Sequence, residues 1–163
     1  MDHIISKIQW NKAFIGFVSS FLGISLISLV AQFEDIYLLV PSFGASAVLI
    51  FAAPQAPMAK HKNVLFGHLI SASVGVALVQ VLGVSWLSCA LAVSLSIAFM
   101  IITNTLHPPG GATALYALLT QQDWGFILLP MGIGIIGFLL AAKVINSLLV
   151  SFKTEEQYSR AVN

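Results

Sequence analysis

The sequence predicts an all-α integral membrane protein of six hydrophobic segments, arranged as two inverted three-segment repeats. Segments 2 and 5 are short, Pro-initiated helices of half or re-entrant type. Three observations carry this prediction. Hydrophobic residues make up 58% of the 163 positions and charged residues 8%, against about 25% charged in an ordinary soluble domain. Four apolar runs approach or exceed the roughly 20 residues that a helix needs to cross a bilayer. The chain also resembles itself at a fixed offset of 67 residues.

With so few charges and a mean hydropathy of +0.96, a water-facing surface cannot be assembled, so lipid is the solvent. A formal net charge of +1 gives no sign of a nucleic-acid partner. The single cysteine, Cys89, excludes an intrachain disulfide and reads as a packing residue. Four scattered histidines with that cysteine offer no metal-ligand spacing, so neither metal nor cofactor is expected. The first apolar run is of spanning length rather than a cleavable signal core. The chain reads as a single transmembrane domain over residues 1–163, with repeat 1 at about 12–78, repeat 2 at about 79–150 and a polar tail at 153–163.

In chain order, Ala13 to Phe33 is the first spanning run, followed by the short segment Pro41 to Ala53. Val64 to Gly83 and Val84 to Ile102 follow as spanning runs, then the short Pro108 to Gln121. Phe126 to Phe152 closes the set, with Lys143 snorkelling to the interface. Proline suits the first helical turn, where its missing N–H has no intrahelical partner. Ile36 to Val40 and Thr103 to His107 read as extended segments leading into the short helices. Lys7, Lys12, Lys60, Lys62, Lys153 and Arg160 fall on one side of six crossings, and Glu34, Asp35 and Asp123 on the other. The positive-inside rule then places both termini in the cytoplasm, and a bacterial cytoplasmic (inner) membrane is the expected location.

The offset aligns Pro41-Ser42-Phe43-Gly44-Ala45-Ser46-Ala47 with Pro108-Pro109-Gly110-Gly111-Ala112-Thr113-Ala114, sharing P-x-x-G-A-[ST]-A. Gly16 falls on Gly83 and Gly67 on Gly134. Three crossings per half force opposite orientations, so the N-termini of the two short helices point toward the middle, as in transporters built from inverted repeats. Helix N-termini carry unpaired N–H groups and about half a positive charge, which attract an anion without Lys or Arg. Gly44, Gly110 and Gly111 admit close approach to backbone, and Ser42, Ser46 and Thr113 add hydroxyls. The small residues have a second reading as close helix-packing positions.

Leu106 to Leu115, LHPPGGATAL, closely resembles the signature of the HPP family of small integral membrane proteins. Pro41 to His68 resembles that family's first conserved region. The resemblance implies a membrane transport protein; the members with an assigned activity, in cyanobacteria and chloroplasts, are nitrite transporters. It also implies that Gly44, Ala45, Ser46, Asn63, Gly67, His68, His107, Pro108, Pro109, Gly110, Gly111 and Thr113 occupy motif positions. The family often has Gln-Pro-Arg before the asparagine, whereas this chain has Lys60-His61-Lys62, which keeps the charge and loses the proline.

His107 has Val40 as its repeat partner, so a histidine stands in one half only. Its imidazole either hydrogen-bonds an anion or carries a proton beside it, or else caps carbonyls freed by Pro108 and Pro109. His68, one turn into its helix, reads first as interfacial or bonded to a neighbouring helix. Asn104, Thr103 and Thr105 line a polar approach or cap a helix end; His3 and His61 read as solvated. The expected function is transport of a small inorganic anion, nitrite first, with a channel or carrier for another small solute as the alternative, and not enzymatic. The expected binding residues are Ser42, Phe43, Gly44, Ala45 and Ser46 with His107, Pro108, Pro109, Gly110, Gly111, Ala112 and Thr113. Asn63, His68 and Asn104 are candidate pathway or coupling residues. A homo-oligomer in the lipid bilayer is expected. Two other classes compete. An intramembrane hydrolase would pair Ser42 with His107, although G-x-S-x-G and H-E-x-x-H are both absent. In a structural or assembly subunit, a pocket-lining mutation would disturb complex formation without altering any flux.

Overall fold

The structure is a computed structural model that describes residues 2–33 and 40–162; the side chains described are those of residues 10, 12–29 and 40–148. Glu34, Asp35 and the run 36–39 lie outside the described residues, as do the side chains of His3, Lys7, Lys153 and Arg160. Six α-helices account for the fold: α1 (Asp2–Phe33), α2 (Pro41–Ala47), α3 (His61–Leu82), α4 (Trp86–Ile102), α5 (Pro109–Leu119) and α6 (Ile133–Val162). Among the described residues there is no strand. Windows at Lys12–Leu29, His61–Leu82 and Ile127–Leu148 are long and apolar enough to cross a membrane.

Both short helices start where proline is expected. Pro41 opens α2 after an extended Val40 (φ −81°, ψ 134°), and Pro109 opens α5. With its wider turn at Val48–Ala52, the α2 segment runs from Pro41 to Ala52, about 18 Å at 1.5 Å per residue. The 11 residues of α5 give about 16 Å. Neither length covers a hydrocarbon core of about 30 Å. The segment before α5 is a turn at Thr103 and Asn104, then three residues without regular structure. Asn104 takes the left-handed φ of 53° there, a conformation that asparagine tolerates better than most residues.

The last apolar run is not one uninterrupted helix. Pro130 stands within a wide turn at Ile127–Gly132, Leu129 takes φ −142° and ψ 122°, and regular helix starts at Ile133. Proline has no N–H to continue the ladder and its ring clashes with the preceding turn. A capping box starts α4. Ser85 Oγ accepts from the Ser88 N–H at 3.1 Å, and Ser88 Oγ accepts from the Ser85 N–H at 2.8 Å. Ser85→Ala is expected to cost about 1 kcal/mol, read as a lower melting temperature in detergent; an unchanged midpoint would mean that packing alone holds this end.

Helices α3, α4 and α5 form one packed group and α1 packs on α6, with α2 and its wide turn between them. Small residues allow the closest approach. A Cβ built on Gly75 of α3 would run into the Ala114 carbonyl oxygen and lie 2.9 Å from Ala117 Cβ of α5, the kind of packing that small residues provide inside membranes. Ser88, Ala92, Ser96 and Met100 make the buried face of α4 at four-residue spacing. Phe43, Phe51, Ile135 and Phe138 centre the larger apolar core. Large apolar side chains such as Phe14, Phe21, Trp86, Ile102 and Leu128 face outward, which a lipid solvent accepts and water would not. Several helix hydroxyls are satisfied locally, while Ser96 Oγ on α4 is buried with no hydrogen-bond partner. Ser20, Ser73 and Ser94 donate to carbonyls four residues back at 2.7, 2.8 and 2.8 Å. The offset pairing does not hold at every glycine: Gly16 lies within α1, while Gly83 closes α3 at φ 66°.

Candidate functional site

Helical periodicity determines which residues of the two short helices meet. Ser42 and Ser46 are four apart and share the buried face of α2, whereas Gly44 and Ala45 are exposed. Gly44 borders an open groove of about 370 Å³ between α1 and α2, with Gly16, Phe17 and Val48. On α5, Pro109, Gly110 and Thr113 are buried and Ala112 is exposed; Gly111 is half-buried, with 3.7 Å from its ideal Cβ to Val93. Helix α3 contributes Gly67, His68 and Ser71, all buried.

These faces join in one hydrogen-bonded chain of uncharged side chains. His107 Nδ1 donates to the Met58 carbonyl at 2.9 Å, since a carbonyl oxygen only accepts. His107 Nε2 lies 2.9 Å from Ser46 Oγ, and the same hydroxyl lies 2.8 Å from His68 Nε2. His68 Nδ1 is 2.7 Å from Thr113 Oγ1, which donates to Ser42 Oγ at 2.8 Å. Ser46 Oγ is also 3.1 Å from the Ser42 carbonyl oxygen. All five side chains are buried, at 2% exposure or less. The two rings stand 4.9 Å apart between centroids, inclined by 64°. Phe43 sets an edge against His68 and stacks on Phe138, so α6 supports the site from behind.

The approach of α3 to the 105–109 segment depends on two glycines. A Cβ on Gly67 would lie 2.6 Å from His107 Cβ, and one on Gly110 would lie 2.6 Å from Ser71 Oγ. Asn63 Nδ2 donates to the Leu106 carbonyl at 3.0 Å and ties the start of α3 to the same segment. Pro57 turns the chain through Pro57–Ala59 and presents the Met58 carbonyl.

The expected binding set divides accordingly. Ser42, Ser46, His107 and Thr113 converge, Phe43, Pro109 and Gly110 support them, and Gly44, Ala45, Pro108, Gly111 and Ala112 stand outside the cluster. Three first-turn N–H groups are occupied: Phe43 N–H donates to Val40 at 2.8 Å, Gly110 N–H to His107 at 2.9 Å and Gly111 N–H to Pro108 at 3.1 Å. His107 caps Met58 rather than a carbonyl freed by its own prolines. Asn104 is exposed, and Thr103 caps its own helix end through Phe99 at 2.7 Å. His68, read as interfacial or bonded to a neighbouring helix, bonds Thr113 of α5 and stands at the centre of the chain. Met58 and Ser71 carry no motif and were not expected; only folding brings them here.

At the point where the two halves touch, Ser46 and Thr113, matched by the 67-residue offset, each bond to the same imidazole. A model of the HPP transmembrane region matches residues 5–158. The chain belongs to the HPP transmembrane family. It is similar to two proteins of Dictyostelium discoideum described as transmembrane proteins. One is 42% identical over 156 residues, covering 88% of this chain and 48% of that protein. The other is 43% identical over 155 residues, covering 88% of this chain and 53% of its own length. This HPP chain thus spans about half the length of the curated relatives it matches. No solved structure matches it significantly. Both relatives come from Dictyostelium, so a bacterial membrane is an expectation that these matches do not carry.

Proposed function

We propose that this HPP protein transports a small inorganic anion, nitrite first, and that the Ser46, His68, His107 and Thr113 cluster is the point through which the anion passes. The observation that carries this reading is an uncharged cluster of hydroxyl and imidazole groups buried where the two short helices cross. Every described Lys and Asp side chain is exposed. Polar groups are costly inside a membrane and mark pathways for solutes or protons. Hydroxyl and imidazole groups can each donate to an anion's oxygens, so an anion replaces bonds that the side chains now make to one another. The conformation described here is then the closed one, and opening requires α2 and α5 to separate at Ser42 and Thr113.

The inverted repeat belongs to the same proposal, since the paired short helices and the matched hydroxyls, Ser46 and Thr113, support a shared origin for the two halves. Cytoplasmic termini follow from the basic residues, with Lys60 and Lys62 exposed just before α3. We place the protein as a homo-oligomer, because a bundle this small buries little surface. A hydrolase reading is weaker: Ser42 meets Thr113 rather than His107, and the serine that does meet His107, Ser46, is fully buried. Moreover, His107 Nδ1 bonds a carbonyl rather than a carboxylate. Purified protein in liposomes is expected to pass nitrite well above empty liposomes, and His107→Ala to reduce the flux at least about tenfold, the equivalent of 1.4 kcal/mol. Equal flux with and without the protein would remove the reading.

A further inference from the structure

The buried cluster is offset toward one end of α3. His68 is seven residues into that helix, about 10 Å along it from His61, and a further 14 residues, about 21 Å, from Leu82. His107 is buried beside an exposed Pro108 and donates to the carbonyl of Met58, two residues before Lys60. Asn63 Nδ2 ties the same turn to the Leu106 carbonyl at 3.0 Å. The nearer mouth is therefore built from residues 57–63 and 103–108. Its rim carries Lys60 and Lys62, both exposed, with exposed His61 between them and Thr103 and Asn104 on the second segment. No acidic residue stands in the first turn of α3. Asp123, the one carboxylate among the described side chains, follows the far end of α5, 14 residues after Pro109. The positive-inside rule asks only that basic residues lie somewhere on this face. Here two of them stand in the loop that holds His107.

We propose that Lys60 and Lys62 form a basic rim that draws small inorganic anions from solution to the His107 end of the cluster. The proposal rests on the anion reading above and adds the step that precedes entry. An uncharged cluster offers an anion hydrogen bonds but no long-range attraction. Two ammonium groups about 10 Å away supply that attraction while staying in water, so neither charge is desolvated. At that distance in water the pair raises anion occupancy about fourfold. Screening at about 10 mM salt, where the Debye length is about 30 Å, leaves about threefold. At about 1 M salt the Debye length is about 3 Å and the attraction disappears. The field acts alike on an anion held in the cluster and on one crossing it. It therefore lowers the half-saturating concentration and leaves the maximal rate unchanged.

The test is the initial rate of nitrite uptake into liposomes against nitrite concentration, in about 10 mM and about 1 M sodium gluconate. Lys60→Gln combined with Lys62→Gln is expected to raise the half-saturating concentration about threefold at low salt. Its maximal rate should equal the parent's, and at high salt the two proteins should coincide. Lys60→Arg combined with Lys62→Arg keeps both charges and is expected to behave as the parent at either salt. Equal half-saturation of the parent and the glutamine variant at low salt overturns the rim. So does a difference that persists at high salt, a difference that the arginine variant shares, or a loss confined to the maximal rate, since each of these reports packing rather than charge. Parent uptake that does not depend on the lysines leaves the anion reading standing and removes the rim alone. A parent protein that passes no nitrite removes both.

Discussion

Alanine in place of Gly67 is expected to reduce nitrite flux at least about tenfold, or 1.4 kcal/mol in rate terms, and to lower the melting temperature as well. The added Cβ would lie 2.6 Å from His107 Cβ, 3.2 Å from the Thr105 carbonyl oxygen and 3.3 Å from Met100 Sδ. The nearest of these is fixed to the backbone and cannot rotate away, so α3 must move off the segment that carries His107. Overpacking of this kind costs about 1–3 kcal/mol, and the shift would pull His107 away from Ser46. Gly137→Ala is the control, since nothing lies within 4 Å of a Cβ at that position on α6. Flux and melting are measured on the same reconstituted samples. A Gly67→Ala protein as active and stable as the parent would show that the close contact is incidental.

His68→Ala is the second large effect expected, and it separates function from packing. The ring bonds Ser46 on one side and Thr113 on the other. An orphaned buried hydroxyl costs about 1–3 kcal/mol. Here each has a fallback, Ser46 to the Ser42 carbonyl at 3.1 Å and Thr113 to the Pro109 carbonyl at 3.4 Å. The stability loss should therefore sit at the lower end of that range for each hydroxyl, while flux should fall by far more than unfolding explains. His68→Gln restores a donor and an acceptor and is expected to recover melting better than flux. Parallel loss and recovery of both quantities would make His68 a packing residue.

Much of this architecture was legible in the residues themselves. The prolines at 41 and 108 placed the two short helices, the second opening one residue later at Pro109, and four-residue spacing put Ser42 and Ser46 on one face. The same spacing puts Gly44, two residues from each, on the opposite face, so its place on the outer groove is legible from periodicity alone. The seven-residue step from His61 to His68 puts that ring about 10 Å into α3. Gly67, Ser71 and Gly75 mark the tight face beside it. The meeting of Ser46 with both rings could not be read, because it joins positions 22 and 61 residues apart, on α2, on α3 and on the segment before α5. The occupied first-turn N–H groups were equally hidden, since they depend on how tightly each proline turn winds.

Helix α4 has a consequence for the surrounding membrane. Its 17 residues extend about 25 Å, while α3 with 22 extends about 33 Å. A hydrocarbon layer of about 30 Å matches the second and overhangs the first. Hydrophobic mismatch of this size draws the bilayer thinner along one flank of the protein. With Trp86 exposed at one end of α4 and Ile102 at the other, that flank favours short-chain lipids. Acyl-chain length thereby becomes a thermodynamic variable acting on one side of the bundle.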